Sequence, residues 1–75
     1  MEDFKKRLLE EYTQLQDRFN KLDEALSSEG FSDKVGPFQY NMMILQYHGM
    51  ATYLSALKLR LDNLDLTDNS NDTYN

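Results

Sequence analysis

Apolar residues in the first third of the chain stand at Leu8, Tyr12, Leu15, Phe19, Leu22 and Leu26, stepping alternately by four and three. That spacing is a heptad seam, and it predicts an amphipathic helix over residues 3–28, about seven turns long. Glu10, Glu11, Gln14, Asp17, Arg18 and Lys21 fill the opposite face. Glu2 and Asp3 complement the positive end of the helix dipole. Gly30 suits the left-handed residue that ends a helix, so the connection is expected over 29–36, with Ser32-Asp33 able to cap a short turn and Phe31 and Val35 pinning it to the domain. Pro37 then restarts the chain, since its fixed φ suits the first helical turn.

The same seam returns at Met43, Tyr47, Met50, Leu54, Leu57, Leu61 and Leu64, predicting a second helix over 37–64. Two matched seams joined by a short connection imply an all-α fold, an antiparallel two-helix hairpin spanning residues 1–66. From Phe38 to Leu57 there is no Asp, Glu, Lys or Arg. Apolar or small residues at Phe38, Met42, Leu45, Gly49 and Tyr53 lie on flanks that one partner helix leaves uncovered, so Phe38, Met42, Leu45, Gln46, Gly49, Met50 and Tyr53 are expected to line a homo-oligomer interface. The membrane alternative is disfavoured by Gln39, Asn41, Gln46, His48, Thr52 and Ser55 scattered through the stretch and by the missing basic flank. Residues 67–75 hold little to bury and are expected to form a disordered acidic tail.

Composition sharpens this picture. A chain of 75 residues is too small for a generous core. It has no cysteine for a disulfide and a single histidine, so neither a disulfide nor a zinc site is expected and oligomerisation is the remaining support. Thirteen acidic against eight basic residues give a net charge of −5, which argues against binding DNA or RNA duplexes through a basic face. The charged start at Met1 offers no secretory core, so a cytoplasmic protein is expected.

No cofactor or metal and no enzymatic activity are expected, because His48 has no cysteine or second histidine to join it; it is expected as a neutral core or interface residue. The candidate ligand-binding residues are the few cations and the rings near them. Lys5, Lys6 and Arg7 form one cluster, with Phe4 and Tyr12 within two turns. Lys58 and Arg60 form a second, which an antiparallel hairpin brings toward the first.

The run Leu45-Gln46-Tyr47-His48-Gly49-Met50-Ala51, leading to Leu54 and Leu57 after a heptad helix, resembles the hairpin domain of small phage-encoded proteins, including the crAssphage-related hypothetical proteins. It is similar to the hairpin of the anti-CBASS and anti-Thoeris sponges that sequester cyclic oligonucleotides. The likeness covers about residues 4–64 and rests on Leu45, Gln46, Met50 and Ala51. It implies a hexamer or smaller ring in the host-cell cytoplasm that holds cyclic di- or trinucleotides between protomers without hydrolysing them. Where the sponges carry an arginine and a threonine, this chain has Met42 and Met43, so any pocket falls to Lys5, Lys6, Arg7, Lys58 or Arg60. Two other functions remain open on the residues: an acidic inhibitor of a host enzyme or nucleic-acid-binding effector, and a purely structural self-assembling hairpin.

Overall fold

The computed structural model describes the backbone of residues 2–74 and the side chains of residues 3–65. It is all-helical in the order α1 (Glu2–Leu26), α2 (Phe31–Val35) and α3 (Pro37–Tyr74). The two long helices pack against each other as the paired seams require. The expected connection contains a short helix, α2, instead of a capped turn alone. The tail expected at 67–75 lies beyond the residues whose side chains are described.

Helix α1 ends at Leu26, slightly earlier than its composition suggests. Its last turn tightens as the Ser28 N–H reaches the Ala25 carbonyl at 3.1 Å, while the Ser28 hydroxyl donates to the Glu24 carbonyl at 2.8 Å. Gly30 then takes φ 78°, a left-handed conformation that a side chain would strain, and directs the chain into α2. Gly36 takes φ 89° between α2 and α3, and its N–H closes α2 on the Ser32 carbonyl at 2.9 Å. Tyr40 on the first turn of α3 fixes the connection in place. Its ring lies 6.5 Å from that of Phe31, and its hydroxyl donates to the Leu26 carbonyl over a long 3.5 Å.

The hydrophobic core is small. Among the described residues Leu8, Leu15 and Leu57 are buried, with Tyr12, Met50, Leu54, Leu61 and Leu64 half-buried against them. Toward the connection, Phe19 and Tyr47 extend the seam as stacked rings with centroids 4.6 Å apart. The Asp23 carboxylate beside Tyr47 accepts a hydrogen bond from the phenol and pushes its pKa above the ordinary tyrosine value; desolvation adds to the shift. His48, one residue past the seam, is exposed within the chain, its ring edge-on to Tyr47 at 5.7 Å. No helix among the described residues is long and apolar enough to cross a membrane.

Candidate functional site

The antiparallel topology sets the start of α1 beside residues 57–65 of α3, and the two basic clusters converge at this open end. Helical phase then sorts them onto two flanks of the hairpin. Lys5 and Tyr12 lie on one side of Leu8 and Phe4 on the other, because residues three behind and four ahead in a helix share a flank.

On the first flank, Lys5, Leu9, Tyr12, Lys58, Leu61, Asp62 and Asp65 line a groove of about 370 Å³. Both lysines are matched by carboxylates: Lys5 Nζ lies 2.5 Å from Asp65 Oδ1, and Lys58 Nζ lies 3.4 Å from Asp62 Oδ2. All four side chains are substantially solvated, so these pairs contribute at most about 1 kcal/mol each and exchange readily for another anion. The groove therefore offers two ammonium groups, a half-buried phenol ring and an apolar floor, with its charge balanced when empty. Lys6 lies just outside, on a shallow surface it shares with Asp3, Lys5 and Leu9.

On the second flank, the Arg60 guanidinium stands over the Phe4 ring, 5.8 Å from its centroid. Phe4, Leu8, Arg60, Asn63 and Leu64 line a recess of about 160 Å³, smaller than the roughly 300–1,000 Å³ of an ordinary ligand pocket. Arg7 is exposed on the same end of α1. The structure thus brings Lys5, Tyr12 and Lys58 into one groove and Phe4 with Arg60 into another, with Lys6 and Arg7 at their margins.

The sequence reading missed Asp62 and Asp65, which set the electrostatics of the groove. Asp62 carries a readable signal, its spacing of four from Lys58 on one helix face. Asp65 carries none, because its partner Lys5 is 60 positions away and depends on the register of the hairpin.

The residues expected at an oligomer interface divide as well. Phe38, Met42, Leu45, Gln46, Gly49 and Tyr53 are exposed on α3, whereas Met50 is half-buried against the Leu8–Leu15–Leu57 core. Among the described residues no group of three or more His, Cys, Asp or Glu is placed to hold a metal ion.

The Sequestin family model matches residues 2–63, which include α1, α2 and most of the part of α3 that packs against them. No curated protein and no solved structure matches the chain.

Proposed function

The chain belongs to the Sequestin family, and from that premise we propose that it is a phage anti-defence protein that sequesters a cyclic oligonucleotide immune signal between protomers in the host cytoplasm. The family name describes a protein that withholds something from its surroundings. What such a protein needs is affinity, without a reacting group at the site.

The observation that carries the ligand class is the convergence of rings and cations at the open end. A cyclic oligonucleotide alternates flat bases with phosphates, so it calls for aromatic faces next to positive charge. Tyr12 lines one groove together with Lys5 and Lys58, and Phe4 lies under Arg60 in the other. Phosphates entering the groove would displace Asp62 and Asp65 from the lysines, exchanging one weak solvated pair for another that carries more charge. Neither recess encloses a whole cyclic di- or trinucleotide, which supports a site shared between subunits.

Isothermal titration against a panel of cyclic di- and trinucleotides tests this reading, followed by recovery of the ligand after the protein is denatured. A saturable heat with one member, and return of that member chemically intact, is the expected result. Silence across the panel removes the proposal, and a cleaved product replaces sequestration with catalysis. A stoichiometric host protein in a pull-down, alongside a silent panel, would favour the acidic inhibitor instead.

A further inference from the structure

Among the described residues nothing covers the outward flank of α3. Phe38, Met42, Leu45, Gly49, Thr52 and Ala56 recur at steps of four and three, a second heptad ladder offset by five residues from the seam that faces α1. All six positions, each five residues before a seam position, are exposed, Phe38 at 68% and Leu45 at 63%, in a stretch with no Asp, Glu, Lys or Arg. A continuous apolar face of this kind marks a contact surface.

At the middle of the ladder stands Gly49, among the poorest of helix formers, within an uninterrupted helix. No described atom lies within 4 Å of the place a Cβ would occupy there, so no contact among the described residues calls for a glycine. A bare backbone at that point admits close approach of another helix. The orientation follows from charge. Arg60 and Lys58, the latter paired with Asp62, leave the C-terminal end of the ladder net positive, whereas Glu29 and Asp33, with Lys34, leave its N-terminal end net negative. Parallel copies would set the Lys58–Arg60 ends side by side. Antiparallel copies set each against the opposite, net-acidic end.

We infer that this ladder is the contact between two copies of the chain, crossing antiparallel with the two-fold axis at Gly49. In that register Met42 meets the partner's Ala56, Leu45 meets the partner's Tyr53, and Phe38 meets the partner's Arg60. Arg60 is the residue that stands over Phe4, so each copy brings a second ring to the rim of the 160 Å³ recess. The inference rests on the proposed function only in placing the ligand between protomers; it names the surface that joins them, and the joined state forms with no nucleotide present.

The absence of cysteine from the sequence makes the geometry directly testable. Positions 42 and 56 are 14 residues apart, about 21 Å along the helix. Met42→Cys mixed with Ala56→Cys under mild oxidation is expected to give a covalent dimer, while each variant alone stays uncrosslinked. Sedimentation of the unmodified chain without nucleotide is expected to give twice the single-chain mass. Gly49→Leu, which puts a bulky side chain and a good helix former at the axis, is expected to halve that mass with helical circular dichroism retained.

Each variant crosslinking with itself but not with the other would show parallel copies and overturn the inference. Single-chain mass for the unmodified protein, or an undiminished dimer in Gly49→Leu, would overturn it also. A mixed crosslink in a protein that binds no nucleotide would leave this contact standing and remove the proposed function alone.

Discussion

The Arg60 guanidinium and the Phe4 ring face each other at 5.8 Å across the open end of the hairpin, joining the first turns of α1 to the later part of α3. Phe4 is half exposed, so the contact works in a well-solvated setting and contributes about 0.5–1 kcal/mol. Arg60→Ala should therefore lower the melting temperature by only a few degrees. Its effect on binding should be larger, at least tenfold in affinity for the cyclic nucleotide, because it removes both a phosphate partner and the group that orients the ring. Thermal melts and titrations of the same variant separate the two effects. A large stability loss with unchanged affinity would place Arg60 in the fold and outside the site.

Stability is concentrated in three leucines, and Leu57 is the most enclosed at 1% exposure. Truncating it to alanine removes side-chain contacts from both helices and leaves a cavity. The expected cost is about 2–5 kcal/mol, a large share of the total for a domain this small. Leu59, two positions later and 69% exposed, provides the control, and Leu59→Ala is expected to stay within about 0.5 kcal/mol. Urea titrations of both variants check the contrast. Equal losses would mean that the Leu8–Leu15–Leu57 cluster is not the centre of the core.

The parts legible in the sequence are those governed by helical period. The seams through Leu8, Leu15 and Leu57 could be read because steps of four and three return to the same face whatever the partner is. The convergence of Lys5 with Lys58 could be read because a short connection forces antiparallel neighbours. Helix α2 could not, since five residues are too few to show a period, and its placement depends on the positive φ angles of Gly30 and Gly36.

The balanced charge of the groove was hidden for a related reason. The contact of Asp65 with Lys5 depends on the longitudinal register of two helices, which a heptad pattern leaves free to slide by whole repeats. His48 was expected in the core or at an interface on composition alone. Its phase, one residue beyond Tyr47, puts it on the surface of the single chain.

The Lys5–Asp65 pair gives the groove a testable sign. Asp65→Asn removes a carboxylate that competes with an incoming phosphate for the Lys5 ammonium. Affinity for an anionic ligand should rise several-fold, while stability changes by no more than about 1 kcal/mol because both groups are solvated. The gain should shrink as salt is added, since it is electrostatic and exposed. Titrations at low and high ionic strength test this. A fall in affinity at both would show that Asp65 holds Lys5 in its binding position, with no competition for it.

Tyr47 links the fold to alkaline pH through one carboxylate. Asp23 accepts a hydrogen bond from the phenol and repels a phenolate, and desolvation adds to both effects, so the folded protein holds the phenolic proton more tightly than the unfolded chain does. The stabilisation is fully present below the unfolded tyrosine pKa of about 10, and it is lost as pH rises through the higher folded value. Neutral and mildly acidic solutions should therefore show no dependence from this group, with a decline confined to the alkaline side of pH 10. Asp23→Asn removes the charge that raises the pKa and should return the phenolate absorbance transition toward the ordinary value, with the alkaline decline correspondingly weakened. Spectrophotometric titration of the unmodified protein and Asp23→Asn decides the point, and coincident Tyr47 transitions in the two would show that the Asp23 carboxylate is not the cause.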